Sequence, residues 1–410
     1  MGQTPPVKQQ IAGSSVRLAY GMDTPRAIPP LLKDLNERAV LETIRASSPI
    51  SRAEISRRAQ ISKPTVSLAL QSLLDSGLVR ESSAGPGGPS YGAVFFEPVH
   101  EAAVVLGLDL GAHFLRGAIC DLQGTIRARQ DVEILGVDAR TVIEAISALR
   151  GTLVKASGVP FERVDGVVVG VPGVVSGPAG HVSLATNVPG LEGREFGSEL
   201  KTRMGLKLTV ENDINLAALG EQWRGVARGV DDFAFISIGT GLGAGLVLRG
   251  ELHNGRNGAA GELDYTRAGR GETDDPCAGA ISEFAAQVAT GKQTELVPPY
   301  DVRAIFAAAR GGDAVARTVV EEEARRIAMH VVPIAAVTDV ALVVLGGGVG
   351  ANGDLLLEPV RALLDEWLPY PPRVEVSALG EAAVLTGALA VGVRAARDNV
   401  FTNRVRRAAV

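Results

Sequence analysis

A dense polar segment at residues 211–215, Glu-Asn-Asp-Ile-Asn, follows an apolar run at 208–210 that predicts a short strand. Its Asp213 is a candidate general base, which would take a proton from a sugar hydroxyl held within hydrogen-bond reach. In a purely structural interpretation the same residue is a helix N-cap. Because a Gly-Val-Pro-Gly segment at 170–173 and Asn187 are also present, we favour a polyol-binding pocket.

Two glycine-rich segments suit the binding of phosphate groups or a nucleotide. Residues 239–245 (Gly-Thr-Gly-Leu-Gly-Ala-Gly) separate apolar runs at 233–238 and 246–248, and residues 346–350 (Gly-Gly-Gly-Val-Gly) follow a run at 341–345. Without side chains, backbone N–H groups approach phosphate oxygens closely, and the second segment suits packing against an adenine ring. Strand-forming residues, not a helix, follow the first segment, which disfavours a Rossmann dinucleotide site.

An apolar run at 104–110 contains Asp109 and ends before Gly111, and two more predicted strands follow it around a turn at 123–124. A hairpin with a carboxylate near its tip results. Because the pattern returns at 233–248, it indicates an internal duplication. The candidate phosphate or nucleotide contacts are Asp109, Gly111, Gly239, Thr240, Gly241, Gly243, Gly346 and Gly347.

Three helices are predicted near the front of the chain. Apolar periodicity predicts the first at 36–46, and a Ser-Arg-Ala-Glu capping box at 51–54 begins a second that extends to residue 59. Ser62 is the predicted N-cap of a third helix that extends to residue 75, with Pro64 in its first turn. Two short helices joined by a tight turn have the geometry that places the polar start of the second helix in a DNA major groove.

Short predicted strands at 78–81 and 93–96, joined by a turn rich in Gly, Pro and Ser, complete a winged helix-turn-helix. The third helix is the predicted reader of base edges. A helical packing module or a protein-interaction domain is the alternative interpretation of the same segment. The candidate DNA contacts are Arg52, Lys63, Pro64, Thr65, Ser67 and Arg80.

Composition places this chain of 410 residues among soluble globular proteins of two to four domains, with 46% hydrophobic and 21% charged residues. Residues 1–97 hold eleven Lys and Arg against eight Asp and Glu, whereas the whole chain has a net charge of -5, so only the front suits a polyanion. Two cysteines exclude a disulfide framework, and the longest apolar tract is interrupted by Pro333 and Asp339, which argues against a membrane span. We therefore expect a cytoplasmic, nucleoid-associated protein.

These segments, from residue 36 to residue 391, resemble the ROK family of repressors, open reading frames and sugar kinases. The resemblance implies an actin-like, hexokinase-like pair of α/β lobes, and a regulator that responds to a sugar or a sugar phosphate. It also implies that Asp213 is the catalytic base and that Asn187, Asn212 and Glu262 contact sugar hydroxyls. The first phosphate element would include Asp109 and Gly111, and the second would be residues 239–241.

Departures from the family pattern indicate that catalysis has been lost. The family's Gly-Glu-x-Gly-His motif stands here as residues 261–265 with Tyr265 in place of histidine, and the loop after it holds one cysteine, Cys277. Zinc needs about four nitrogen or sulfur ligands, so we predict no metal. The family's glutamate is displaced to Glu283, and His113 replaces a threonine, which would crowd an ATP phosphate. The turn at 87–90 (Gly-Gly-Pro-Ser) lacks the Gly-Arg-Pro of related wings, which argues against base contacts by the wing.

The sequence thus predicts an α/β protein with a tail at 1–33, a winged helix-turn-helix at 34–97, a two-lobed kinase-like domain at 100–396 and a second tail at 397–410. We expect a transcriptional regulator of sugar or carbon metabolism genes, acting as a repressor, with no enzyme activity and no cofactor. Its expected partners are a double-stranded DNA operator, a small-molecule effector and further copies of itself, as a homodimer or homotetramer, and no membrane. The alternatives are an active ATP-dependent sugar kinase with a DNA-binding appendage, and a regulator that responds to a non-sugar ligand.

Overall fold

The computed structural model of the chain describes residues 29–83, 94–134, 136, 138–205, 207–267 and 274–408. The chain divides into two compact units. The first holds the residues up to Leu74 together with Glu81–Glu97, and the second holds Asp75–Arg80 together with the chain from Pro98 onward.

The front of the chain contains three helices and three short strands. They are α1 (Pro29–Ser47), β1 (Ile50–Ser51), α2 (Arg52–Ala59), α3 (Lys63–Asp75), β2 (Val79–Ser82) and β3 (Phe95–Pro98). The strands form one sheet in the order β1-β3-β2, in which β1 is antiparallel to β3. This is the predicted winged helix-turn-helix topology, and the predicted wing turn at 84–93 lies outside the described residues.

Local signals account for the bounds of α2 and α3. The Ser51 hydroxyl accepts a hydrogen bond from the Glu54 amide (3.3 Å), and α2 ends at Gln60 in the left-handed conformation. The helices bury one apolar face each, which together form a small core of Val40, Leu41, Ile44, Ile55, Val66, Leu70 and Leu73.

The predicted N-terminal tail, 1–33, is too long by five residues, because α1 already begins at Pro29. The first helix itself was predicted to begin at residue 36. Two prolines, Pro29 and Pro30, open this helix. Proline is well suited to the first turn, where its missing N–H has no helical partner in any case.

The second unit contains two lobes, each built on a five-stranded sheet. The elements of the first lobe are β4 (Val104–Leu110), β5 (Phe114–Asp121), β6 (Ile126–Glu133), α4 (Ala139–Ser157), β7 (Val164–Val171), β8 (Val174–Ser176), β9 (His181–Ser183), α5 (Phe196–Met204), β10 (Leu208–Asn212) and α6 (Asp213–Arg224). Its main sheet has the order β10-β7-β4-β5-β6, and β8 pairs with β9. Helix α4 covers β5 and β6.

The second lobe repeats this design. Its elements are β11 (Phe233–Ile238), β12 (Leu242–Leu248), β13 (Glu251–Leu252), α7 (Ala278–Ala289), α8 (Val302–Gly311), α9 (Ala314–Thr338), β14 (Leu342–Gly346), α10 (Gly347–Gly350), α11 (Gly353–Trp367), β15 (Arg373–Val376) and α12 (Ala383–Ala408). Its sheet has the order β13-β12-β11-β14-β15. Helix α9 is covered by α7, α8 and α11. Two helices cross over between the lobes, because α6 packs on β11 and β12 of the second sheet and α12 packs on β4 and β7 of the first.

Strand pairing supports the predicted internal duplication. In the first lobe β4 is antiparallel to β5 and parallel to β7, and in the second β11 is antiparallel to β12 and parallel to β14. The central strands are mostly apolar because both faces of each sheet are covered, as is usual for parallel strands. Asp109 of β4 and Ser237 of β11 are polar exceptions near the carboxyl ends of their strands.

The predicted C-terminal tail at 397–410 is wrong, since α12 continues to Ala408. Val400 and Phe401 are buried, and the Arg397 guanidinium donates to the Leu122 carbonyl oxygen (2.7 Å). Apolar residues recur at helical spacing beyond residue 396 and keep the helix docked on the first lobe. Within the described ranges, no helix is long and apolar enough to cross a membrane.

Candidate functional sites

Helix α3 separates an apolar face from a polar N-terminal end. The Ser62 hydroxyl caps the helix by accepting from the Thr65 amide (3.4 Å), and it lies 2.8 Å from the Thr65 hydroxyl. Lys63 and Pro64 are exposed, whereas Val66 is fully buried. The predicted reading end of this helix is therefore accessible to a ligand.

The positive charges of this unit divide into paired and available groups. Arg57 and Arg58 of α2 both pair with Glu54, which holds them on their own helix. Arg52 and Lys63 are exposed and form no ion pair with the residues that the structure describes. These two are the residues singled out from the sequence, and their charges remain available to an external anion.

The other predicted DNA contacts are less free. The Ser67 hydroxyl donates to the Lys63 carbonyl oxygen (3.0 Å), so part of its hydrogen-bonding capacity is used within α3. Thr65 is partly buried beside its cap. Arg80 is exposed on β2, with one guanidinium nitrogen 3.9 Å from a Glu101 carboxylate oxygen.

Leu68 is a residue of this helix that the sequence interpretation missed. Its side chain is 75% exposed, although the other apolar side chains in the middle of α3 are buried. It follows Ser67 directly and lies four residues after Pro64, on the exposed side of the helix. The sequence could have indicated it, because Leu68 lies off the apolar stripe of the predicted helix, at a position that is normally polar.

In the second unit, a cavity of about 290 Å³ lies between the two lobes. It is formed where β4, β11 and β14 end and where α6 and α12 begin, the edge at which α/β sheets commonly bind ligands. Its lining residues include Asp109, Gly111, Arg116, Asp213, Ser237, Gly347 and Glu381. The structure thus brings together Asp109, Asp213 and Gly347, which the sequence placed in three separate motifs.

Two carboxyl groups of this cavity have raised pKa values. Burial and the nearby charge of Asp109 raise the pKa of Asp213 to about 7. Burial likewise raises the pKa of Asp109 to about 6, although the positive charge of Arg116 opposes the shift. Near neutral pH this pair can therefore both donate and accept hydrogen bonds.

Arg116 is the second residue that the sequence interpretation missed. It lies opposite Asp109 in the β4–β5 pair and opposite Asp131 in the β5–β6 pair, so the three side chains share one face of the sheet. Its guanidinium is 3.4 Å from Asp109 and 3.2 Å from Glu381. The sequence could have indicated Arg116, because strand pairing in the predicted hairpin of β4 and β5 places it opposite Asp109.

Asn212, and not Asp213, caps α6. The Asn212 side-chain oxygen, Oδ1, accepts a hydrogen bond from the Asn215 backbone N–H (2.9 Å). The Asn212 side-chain nitrogen, Nδ2, donates to the Gly173 backbone carbonyl oxygen (2.9 Å). Each end of this buried amide makes one hydrogen bond within the protein, which fixes its orientation and leaves one acceptor site and one N–H for the predicted contact with a sugar hydroxyl. Glu211 supports the same network by accepting from the Asn215 and Asn254 side chains.

The other predicted sugar contacts lie apart from the cavity lining. Asn187 is exposed between β9 and α5, and Glu262 is partly buried. Burial and the charge of Asp264 raise the pKa of Glu262, and the charge of Glu262 in turn contributes to the raised pKa of Asp213. Glu262 is therefore close enough to influence Asp213 electrostatically. Tyr265, at the family's histidine position, is 60% exposed.

The predicted phosphate glycines have different structural roles. A Cβ atom at Gly241 would meet open space, whereas one at Gly347 would lie 2.2 Å from the Ile238 carbonyl oxygen. Gly243 is in β12, where a Cβ atom would lie 2.5 Å from Ile214, and Gly346 faces the Phe235 ring. Thus Gly243, Gly346 and Gly347 permit close packing, whereas Gly111, Gly239 and Gly241 have room for a Cβ atom, the nearest neighbour being the Phe114 carbonyl oxygen 3.4 Å from Gly111.

A larger cavity of about 670 Å³ lies in the second lobe and is lined by Thr240, Cys277, Glu283, Arg325 and Arg326, among others. Thr240 thus faces a different cavity from Asp213. Within the described part of the chain, no group of three His, Cys, Asp or Glu side chains is arranged to hold a metal. Residues 271–273 of the predicted cysteine-poor loop, like the wing residues 87–90, lie outside the described ranges.

Comparison with known families decides the assignment of the two-lobed unit. The model of the ROK family matches residues 105–395, which is most of the chain. The chain belongs to the ROK family. A second model, of the MarR family, matches residues 34–87, the segment that holds the helix-turn-helix.

Individual relatives of this ROK protein include both regulators and kinases. The xylose repressor of Caldicellulosiruptor bescii is 27% identical over 88% of this chain and 96% of its own length. A solved structure of a ROK family transcriptional regulator, a homologue of the E. coli MLC protein, matches this chain with a TM-score of 0.76 and 24% identity. The match covers 91% of this chain and 99% of that chain, which supports the fold. A ROK glucokinase from Streptomyces griseus, solved with glucose and AMPPNP, matches at 27% identity and a TM-score of 0.59 over 70% of this chain and 99% of its own.

Proposed function

We propose that this ROK protein is a DNA-binding transcriptional regulator of sugar-metabolism genes, in which the second unit binds a small effector. The observation that carries the proposal is the exposed N-terminal end of α3, where Lys63 is unpaired among described residues and Pro64 is accessible, within a segment that matches the MarR family. A helix with this exposed polar end is suited to the major groove.

The DNA contacts follow from the available charges and the exposed helix face. Arg52 and Lys63 bind phosphates, because each has an exposed positive charge, and Arg80 contributes where it is released from Glu101. Pro64, Thr65, Ser67 and Leu68 face base edges, with Leu68 supplying an apolar contact. Regulators of this type bind two half-sites as dimers, so we propose a homodimer or homotetramer. Such a regulator would act in the cytoplasm, at the nucleoid.

The effector occupies the cavity between the lobes, where Asp109 and Asp213 offer both donors and acceptors to hydroxyl groups. An effector that prefers one arrangement of the lobes would change operator binding by the difference between its affinities for the two arrangements. The repressor relatives support a sugar as this effector and repression as the action.

We further propose that the protein does not transfer phosphate and uses neither zinc nor ATP. Tyr265 replaces the histidine of the family motif, and the loop after it holds one cysteine, Cys277, where the family has several. An active sugar kinase is the second candidate, because the raised pKa of Asp213 suits a general base and a glucokinase is among the relatives.

Three measurements test the proposal. Genome-wide footprinting with the purified chain is expected to protect discrete promoter sites near sugar-metabolism genes, and the absence of any footprint would refute the DNA-binding function. ATP turnover with a panel of hexoses is expected to stay at background, whereas robust phosphorylation of one hexose would establish the kinase. A thermal-shift screen with sugars and non-sugar ligands then decides the class of effector.

A further inference from the structure

Arg116 lies within a group of carboxylates at the mouth of the interlobe cavity. Its Nη1 atom is 3.4 Å from Asp109 Oδ2, its Nη2 atom is 3.2 Å from Glu381 Oε2, and its Nε atom is 3.9 Å from Asp131 Oδ2. Cross-strand pairing on both sides of β5 fixes two of these neighbours, since Asp109 and Asp131 each lie directly opposite Arg116. The guanidinium is thus built into the sheet and is only 22% exposed.

The charge of the cavity follows from this arrangement. Among its described lining residues, Arg116 is the only basic side chain, whereas Asp109, Asp213 and Glu381 are acidic. The positive charge of Arg116 is therefore already compensated, and the cavity as a whole favours ligands that carry no negative charge.

A Mg²⁺-bound nucleotide does not fit such a site. Mg²⁺ is normally held by one or two carboxylates together with the phosphates of the substrate. At Asp109 the ion would face the guanidinium of Arg116, a like charge, and phosphates without the ion would face the carboxylates. Both halves of the magnesium nucleotide thus meet repulsion at the same place.

We propose that Arg116 is a resident cation that occupies the metal-binding side of Asp109 and excludes magnesium nucleotide from the interlobe cavity, and that the cluster of Arg116 with Asp109 and Glu381 restricts the cavity to ligands without negative charge. Arg116 is in this sense a specificity-determining residue. The consequence for the effector, an unphosphorylated polyol, rests on the function proposed above, whereas the exclusion of magnesium nucleotide does not depend on it.

Isothermal titration of the full chain with Mg²⁺ and ADP tests the proposal. The wild-type protein is expected to bind poorly, and Arg116→Ala is expected to bind at least about tenfold more tightly, because Asp109 becomes free for the metal. Arg116→Lys, which keeps the positive charge, should behave like the wild type. Arg129→Ala is the matched control, since Arg129 is an exposed arginine of β6 that pairs with Asp131 and does not line the cavity.

Three outcomes would overturn the proposal. They are no gain of binding in Arg116→Ala over the wild type, a gain in Arg116→Lys equal to that in Arg116→Ala, and binding to Arg116→Ala that persists in EDTA. If Arg116→Ala does not fold, Arg116→Gln replaces it, because glutamine fills more of the space without a charge. Footprints recorded with the same samples test DNA binding separately, so failure of the proposed function is distinguishable from failure of this inference.

Discussion

The N-terminal end of α3 and the interlobe cavity use their polar residues in opposite ways. Around α3, Arg52 and Lys63 are exposed and unpaired among the described residues, so their charges are available to an external partner. In the cavity, Arg116 is compensated by carboxylates, and the nearby Asn212 amide is engaged in structural bonds. This difference is expected if the first region binds a polyanion and the second encloses a small ligand of low charge, as proposed above.

The largest expected effect separates two glycines that look alike in the sequence. Gly347→Ala is expected to lower the free energy of unfolding by about 3 kcal/mol, because its φ of 77° disfavours a side chain and the new Cβ atom would lie 2.2 Å from the Ile238 carbonyl oxygen. Gly241→Ala, with open space around it, should change stability by less than about 0.5 kcal/mol. Denaturant unfolding of both variants provides the measurement, and equal losses would contradict the assigned packing role.

The next effect concerns the carboxyl group at the centre of the cavity. The pKa of Asp213 is about 7 in the folded protein, and that of an unfolded aspartate is about 3.9. As the pH rises, Asp213 therefore loses its proton at a lower pH in the unfolded chain than in the folded protein. For this reason the free energy of unfolding falls progressively from about pH 4 to about pH 7.

Asp213→Asn removes this cost. The difference between the two pKa values corresponds to about 4 kcal/mol. Because the Asp213 side chain is partly exposed to solvent, we expect about half of this, so the variant should be more stable than the wild type by about 2 kcal/mol at pH 8 and equally stable near pH 4. Unfolding measured across this pH range tests the expectation, with the exposed Asp365→Asn of α11 as the control. Parallel stability curves for wild type and Asp213→Asn would show that the cavity does not penalise the ionised carboxylate.

On the DNA side, Lys63→Ala should weaken operator binding about tenfold and lower the slope of log affinity against log salt by about one, because one phosphate contact is lost. The matched control is Lys201→Ala, an exposed lysine on α5 of the second unit. Affinity measured at several salt concentrations decides the matter, and an unchanged slope would remove Lys63 from the phosphate contacts.

The smallest expected effect tests whether the exposed apolar residue of α3 reads a base. Leu68→Ala should weaken binding to a selected operator about fourfold, which corresponds to one buried methylene-sized contact. Replacing thymine by uracil removes the methyl group that an apolar side chain contacts. With uracil at the contacted position, wild type and Leu68→Ala should bind alike, and an equal loss on both operators would exclude the methyl contact.

How far the sequence carried these conclusions depends on whether a signal was local. The starts of α2 and α3 followed from Ser51 and Ser62, because a cap acts within its own first turn. The bond from the Asn212 side chain to the Gly173 carbonyl oxygen did not follow, since these residues are distant in the chain. The continuation of α12 past residue 396 likewise depends on tertiary burial of Val400 and Phe401.

Arg116 is an intermediate case. The hairpin at 104–121 was predicted, and its register alone places Arg116 opposite Asp109. The further contact with Glu381, which lies just before α12, could not be read from local patterns. The family resemblance supplied the candidate roles of the cavity residues, and the structure supplied the hydrogen bonds and ion pairs that these residues make within the protein.

The most direct test of the account is a footprint titration of one selected promoter site, with and without the sugar that gives the largest thermal shift, for the wild type and Asp213→Asn. The sugar is expected to change the operator affinity of the wild type by about tenfold or more. Asp213→Asn is expected to bind the operator with normal affinity, and this affinity should no longer change when the sugar is added. Loss of ligand-free operator affinity in Asp213→Asn, or an unchanged response to the sugar, would contradict the division of the protein into a DNA-binding unit and a ligand-sensing unit.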